Sequence, residues 1–273
     1  MKSPLVSVIV PTRNQAEFLG PCLDSIFFQD YPALEVVVVN DASTDGTAAL
    51  LREFARAVRQ DQVSYFRCFN PDAPRARQEE RQFHSRYPAG RQLRIVTHRT
   101  RQGTSRPYNH GFRLARGEYC TYVASDDLLL PEMVSSLARE LQRSRSDFVY
   151  SDMWVIDEGN RILREFRLPR YDFRTCLADW YLMGVSKLYR RSLHKKIGWY
   201  HPDYLANDYE LYLRFAQAGA RFRHLPRVLY AVRQHGPGRQ TGVHAPGSWQ
   251  RLIEESKTLA LRARDWLAAG GRP

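Results

Sequence analysis

Two adjacent carboxylates, Asp126 and Asp127, close the core of the run TYVASDDLLLP, which otherwise reads as a strand entering a hydrophobic interior. A carboxylate is costly to bury without a partner. The strand end therefore calls for a metal ion, a basic side chain, or water at the sheet edge. A helix start is predicted immediately afterwards, with Pro131 at its first position. On the bland alternative both acids merely cap that helix, whose N-terminus favours negative charge. A third acid, Asp208, opens NDYELYLRFAQAGARF. It precedes Leu211 and Tyr212 by three and four residues, on the inner side of a helix whose buried face is Leu211, Tyr212, Phe215 and Ala216. A carboxylate within reach of a hydroxyl can take its proton; the alternative is an acid that only stabilises the helix end. Glu210, about 200° round from Asp208, is predicted to face away, and Gly219 to stop the helix.

The elements that must position these acids follow from the pattern of apolar residues. PLVSVIVP is a β-branched run broken by Pro11, a first strand. TRNQAEFLGPCLDSIFFQ carries Phe18, Leu19, Cys22, Leu23, Ile26 and Phe27 at helical spacing, with Gly20 and Pro21 weakening the helix or delaying its start. LEVVVVND is apolar on both faces, as in a parallel sheet covered by helices. In ASTDGTAALLREFARAV, Asp45 can cap a helix with the stripe Leu51, Phe54, Ala55 and Val58. Strand, helix, strand, helix is the pattern of an α/β nucleotide-binding half. Right-handed crossovers place both strand ends on one rim, which holds Thr12–Asn14 and Asn40–Asp41. EYCTYVA delivers Asp126 and Asp127 to the same rim, so a ligand site is expected there.

PEMVSSLARELQRS reads as a helix on Val134, Leu137, Ala138 and Leu141, and DFVYSDMWVID as a strand followed by a turn at EGN. Arg67 to Gln92 is rich in arginine and proline and reads as a long loop, either a lid or an inert insertion. SWQRLIEESKTLALRARDWLAA reads as an amphipathic helix with Leu252, Ser256, Leu259, Ala263 and Trp266 in line. The expectation is one α/β domain over residues 1–240, with the insertion at 67–92, and a helical extension over 241–273.

Composition narrows the partners. The chain has 273 residues, 43% of them hydrophobic, which suffices for a sizeable core. No apolar run reaches the ~18–20 residues needed to span a bilayer, and no signal peptide is read at the start. Cys22, Cys68, Cys120 and Cys176 form no CxxC pair, which argues against a zinc site and fits a reduced, cytoplasmic protein. The net charge of +12 suits nucleic acid, anionic lipid or a phosphorylated small molecule. No zinc finger, helix-turn-helix or RNA-binding aromatic signature is present, so no nucleic-acid partner is expected, and phosphate ligands and a membrane surface stand in front. Arg106, Arg233 and Arg239 are phosphate candidates on charge alone, with a solvated role as the alternative. Trp154, Trp180 and Tyr181 offer aromatic faces for a sugar, or core packing.

Five stretches in order, VSVIVPTRN, EVVVVNDASTDGT, GFRLARGEYCTYVASDDLLLPEM, SKLYRRSLHKKIGWY and LANDYELYLRFAQAG, resemble glycosyltransferase family 2 with the GT-A fold, over roughly residues 5–235. The resemblance implies a Rossmann-like, mostly parallel sheet flanked by helices. It implies an inverting transfer from a nucleotide diphosphate-sugar, a UDP-sugar by family habit, with a divalent cation, Mn2+ or Mg2+. The acceptor would be a glycan or a lipid-linked precursor of a cell-surface glycan, reached by a cytoplasmic protein docked on the inner face of the membrane. The last helix would help that docking, or pack on the domain or on a partner protomer of a homo-oligomer. Pro11, Thr12 and Asn14 match the loop that touches the nucleotide, and Asp41 the acid that bonds the base. Asp126 and Asp127 fall on the metal motif, with which of the two ligates left open. Asp208 falls on the catalytic base, and His235 on a histidine near metal and diphosphate. Asn109 matches a donor-site residue whose usual preceding arginine is Tyr108 here, with Arg106 as a substitute. The usual first acid of the metal motif is Ala124, and Asn40 and Asn207 stand where acids are frequent. Ala124 keeps a second reading open, a nucleotide-sugar-binding protein without turnover.

Overall fold

The computed structural model describes residues 3–70, 73–236 and 247–272, with the backbone alone described over 61–83. Its core is laid down by β1 (Val6–Thr12) and β2 (Leu34–Asn40), whose valines and isoleucine are wholly buried. β5 (Arg91–Thr97), β2, β1 and β6 (Tyr119–Tyr122) run parallel in that order. The crossovers are α1 (Ala16–Phe27), α2 (Thr47–Ala57) and α3 (Ser105–Leu114). α3 approaches β1 so closely that a Cβ on Gly111 would fall 2.4 Å from Ile9.

The second half is mixed. β10 (Lys187–Arg190) lies antiparallel between β6 and β8 (Phe148–Ile156). β11 (Phe222–Arg233) pairs with β8 in parallel, and β7 (Leu128–Leu129) closes the sheet on β11. β9 (Ile162–Phe166) forms a hairpin on β8. α4 (Met133–Arg143) buries Val134, Leu137, Ala138 and Leu141 as the spacing predicts. A π-helical turn (Arg174–Asp179), α5 (Ser192–Ile197) and α6 (Asn207–Gln217) complete the domain, and α7 (Ser248–Ala268) buries Ser256, Leu259, Ala260 and Ala263. The fold is the expected α/β sheet flanked by helices.

Several local expectations change. α1 starts at Ala16 and runs through Gly20 and Pro21, because six buried side chains on one face outweigh one missing amide. Pro131 does not open α4; it sits in a turn before Met133, since Leu128–Leu129 first pair with Ala231 and Tyr230. Asp126 and Asp127 therefore cap no helix. Asp45 accepts the Thr47 amide at 3.0 Å and also the Ala16 amide at 3.1 Å, tying the starts of α1 and α2 together. The Arg67–Gln92 segment is not a loop. β3 (Asp61–Asn70) and β4 (Ala73–Ser85) pair antiparallel as a separate two-stranded ribbon whose backbone groups bond across it. Glu210 is not turned to solvent: it is 5% exposed, and Arg214 holds both its oxygens at 2.7 Å.

Candidate active site

β6 leads through Val123 to Asp126 and Asp127, and the two acids meet different surroundings. Asp127 is 3% exposed. Its oxygens accept the Tyr230 hydroxyl at 2.7 Å and the Arg233 amide at 2.7 Å. Burial, and after it the Asp126 charge, pushes Asp127 above the usual carboxylate range, against the pull of those two donors. Expected among the metal ligands, Asp127 instead binds the end of β11 to the strand end of β6. Asp126 stays partly open, with His235 Nε2 at 2.8 Å from its Oδ2. The other ring nitrogen of His235 lies 3.1 Å from Glu158, and its ring lies 5.2 Å from that of Phe18. His235 Nε2 and Asp126 Oδ2 face each other closely enough to offer two donors to one cation. No third His, Cys, Asp or Glu joins them among the described residues. Asp126 and His235 thus fit two positions of a hard ion that takes its remaining oxygens from ligand and water.

Arg233, expected as a phosphate ligand or a solvated charge, is neither. Its guanidinium donates to the carbonyls of Asp126, Asp157 and Glu158 and to Asn160 Oδ1, at 2.7–3.2 Å, and lies over Phe18. It clamps the Asp126 loop to the turn after β8. Arg239 lies outside the described residues. Arg106 is exposed in the first turn of α3.

Asp208 sits on the inner side of the first turn of α6, as its spacing predicts. Tyr122 at the end of β6 donates to Oδ2, and Tyr200 donates to Oδ1 at 2.9 Å. Tyr200 is itself fixed by Asn109, whose side chain bridges its amide at 3.0 Å and its carbonyl at 2.8 Å. Asn109, expected to touch the donor, therefore holds a holder of Asp208. Half-buried Tyr108 packs edge-on against Tyr122 at 4.7 Å and lies 5.7 Å from Tyr200; burial, and after it the charges of Asp208, Asp126 and Asp127, raise its pKa.

Lys187 is absent from the sequence-based candidates. It is wholly buried in β10, with Nζ 4.0 Å from Asp208 and 3.2 Å from the centre of the Tyr122 ring. It has no hydrogen-bond acceptor. Burial pulls it down to about 8, with Asp208 and Asp127 opposing. Its signal in the sequence is a cation at the head of the short strand KLYR, which the apolar pattern alone does not flag.

The rim of β1 and β2 is tied by side chains. Asn14, with φ 52°, accepts the Thr44 amide at 2.8 Å, and Ser43 bonds Asn40 at 2.6 Å. Thr12 Oγ1 and Arg13 Nε are buried without partners. Pro11, half-buried, is the next-to-last residue of β1. Asp41, expected to bond a base, is 3% exposed, and its oxygens accept the amides of Gln102 and Gly103 at 2.9–3.3 Å. His98 Nδ1 lies 2.8 Å from it, and His110 lies 2.8 Å beyond. Asp41 pins the loop that leads into α3. At the other flank of Asp208, Glu255 of α7 accepts the amides of Leu205 and Ala206 at 2.7 and 2.9 Å, just before α6 begins. Of the expected aromatic trio, Trp180 and Tyr181 lie beside Asp208 in a cavity, while Trp154 lies in β8 away from it.

The family model described as Glycosyl transferase family 2 matches residues 7–79 and 72–198. Glycosyltransferase GlyG of Streptococcus pneumoniae is 26% identical over 158 residues, covering 58% of this chain and 42% of that protein. Chondroitin synthase of Escherichia coli is 25% identical over 235 residues, covering 85% of this chain and 29% of that protein. The chain thus spans less than half the length of either relative. Among solved structures, S. aureus TarS (residues 1–349) in complex with UDP-GlcNAc superposes with TM-score 0.64 at 21% identity, over 85% of this chain and 59% of that one. Mannosyltransferase PcManGT from Pyrobaculum calidifontis, in complex with GDP-Man and Mn2+, gives 0.60 at 24% identity, over 95% and 64%.

Proposed function

The chain belongs to glycosyl transferase family 2, and from that premise we propose that it moves a sugar from a nucleotide diphosphate-sugar, a UDP-sugar by preference, to an acceptor hydroxyl with inversion. The nucleotide lies on the rim formed by Pro11, Thr12 and Asn14, where unpartnered Thr12 and Arg13 groups await a ligand. Asp126 and His235 hold the divalent cation, Mn2+ or Mg2+. When bound, that ion offsets the negative charge that builds on the departing diphosphate.

The observation that carries the reading is the seat of Asp208. Two phenols orient its carboxylate and a buried ammonium faces it, so it is held in place as a base. It takes the acceptor proton as that oxygen bonds to the anomeric carbon. The bond to the diphosphate breaks on the opposite face, so the configuration inverts. We place the reaction in cell-surface glycan assembly at the cytoplasmic side of a membrane. Among the described residues no helix is long and apolar enough to cross one.

The test is release of nucleoside diphosphate from a panel of UDP- and GDP-sugars, with Mn2+, with Mg2+ and with chelator. Asp208→Asn should lower turnover by about 10²–10⁴-fold, while UDP still raises the melting temperature. Parental turnover in that variant would remove Asp208 as the base.

A further inference from the structure

Beside Asp208, α6, α7 and Trp180–Tyr181 enclose a groove of about 250 Å³. Its polar end is Asn207 and Asp208; its walls include Trp180, Trp249, Leu252 and Ile253. Trp249, Leu252 and Ile253 belong to α7, which lies beyond the residues matched by the family model. The wall is fixed to the base: Glu255 of α7 accepts the amides of Leu205 and Ala206, immediately before α6. Arg251 holds Glu255 in turn at 2.8 Å. Trp180, Trp249 and Ile253 remain 46%, 59% and 42% exposed. Large apolar side chains gathered at a surface mark a binding site rather than packing.

We infer that α7 selects the acceptor, and that the acceptor is a glycoside with an apolar aglycone: its sugar hydroxyl meets Asp208 while the aglycone lies along Trp249, Leu252 and Ile253. The inference rests on the reading of Asp208 as the base of sugar transfer. A glycan chain laid in the same groove would bring hydroxyls all round against apolar walls, where each loses water without a partner. An alkyl or aromatic aglycone gains from the same walls, and Asn207 and Asp208 suffice to receive one attacking hydroxyl.

Isothermal titration of the full chain, with UDP and Mn2+ present, tests this. The probes are the octyl glycosides of glucose, galactose and N-acetylglucosamine, below their micellar concentrations, against the methyl glycosides of the same sugars. At least one octyl glycoside is expected to bind about tenfold or more tightly than its methyl counterpart. Trp249→Ala and Ile253→Glu, at exposed positions that tolerate substitution, should each bring the ratio near one. Equal binding of octyl and methyl glycosides overturns the inference, as does binding by neither, or a preference that survives both substitutions. UDP binding by the parent protein is measured in the same series. If UDP fails to bind, the glycosyltransfer reading of the rim fails; if UDP binds without an octyl preference, only the acceptor inference falls.

Discussion

Asp126 and Asp127 are adjacent in sequence yet their side chains do opposite jobs, because the chain turns at Ser125–Asp126, with the Asp127 amide on the Ala124 carbonyl at 3.0 Å, before β7 begins. Asp127 faces inward to two donors. Asp127→Asn sets an amide N–H2 against the Tyr230 hydroxyl or the Arg233 amide, leaving a buried donor unsatisfied at a cost of about 1–3 kcal/mol. The melting temperature should fall by roughly 3–8 °C. Asp126→Asn removes the neighbouring charge that strains Asp127, so it should melt at or above the parent while losing at least about tenfold in ion affinity. The paired scan with and without Mn2+ reads both; an Asp126 variant less stable than the Asp127 variant would reverse the assignment. Lys187 gives a second residue-scale expectation. Its pKa is lowered from 10.5 unfolded to about 8 folded, so between those values the unfolded chain binds more protons. Stability from this group is therefore present in full above 10.5 and lost as pH falls through 8. Relative to Lys187→Met, the parent should gain on the order of 3 kcal/mol between pH 8 and 10.5. Tyrosines and cysteines that titrate in that window cancel in the difference. Denaturant unfolding at several pH values checks it, and a pH-independent difference would mean that burial leaves the Lys187 ammonium as easily charged in the folded chain as in the unfolded one.

At the scale of elements, what the sequence revealed was what local pattern encodes. β1 and β2 are uninterrupted buried β-branched runs, and α4 and α6 carry four-residue apolar stripes, so their periodicity was decisive. β10 is four residues long with Lys187 at its head, and β5 alternates half-buried and exposed residues at an edge, so neither stood out. The site residues divided the same way. The inward face of Asp208 follows from its own helix. The partners of Asp41, by contrast, are amides 61 and 62 positions away, and Asn109 reaches a backbone 91 positions away. Such pairings arise only when the sheet brings strand ends together. The arginine- and proline-rich sequence of 67–92 offers no apolar alternation to mark the strands of the β3–β4 ribbon. It pairs with no strand of the main sheet, whereas β2 and β5 share seven register pairs from Leu34↔Arg91 to Asn40↔Thr97. Replacing residues 62–84 with a short Gly-Ser linker should therefore leave cooperative unfolding intact and shift melting by only about 3 °C, since loop closure changes slowly with length. It keeps Arg86 and Tyr87, which anchor on Asp24 at 3.2 and 2.5 Å. Loss of the cooperative transition would show that the ribbon is part of the core.

For the molecule as a whole, charge and the outer face of α7 both bear on where the proposed acceptor, with its apolar end, would be met. A net charge of +12 attracts an anionic leaflet, each Lys or Arg near its surface adding about 1 kcal/mol. Trp249, Ile253 and Leu261 are exposed on α7, with Lys257 exposed on the same helix. Tryptophan and aliphatic side chains of this kind settle at the headgroup boundary while basic groups stay with the phosphates. The two contributions separate by salt. At about 1 M salt the screening length shrinks to about 3 Å, which removes the electrostatic part and spares the apolar part. Sedimentation with phosphatidylglycerol vesicles should therefore capture the chain at low salt, phosphatidylcholine vesicles should capture far less, and high salt should release most of it. Trp249→Ala together with Ile253→Glu should lower whatever capture survives high salt. Equal capture by both lipids, or none by either at low salt, would sink the docking argument. Because the groove wall and the exposed face of α7 share Trp249 and Ile253, a leaflet bound there would hold an amphiphilic acceptor with its sugar at the level of Asp208. The same two substitutions should then weaken vesicle capture and octyl glycoside binding together, and variants that separate the two effects would show that docking and acceptor choice use different surfaces.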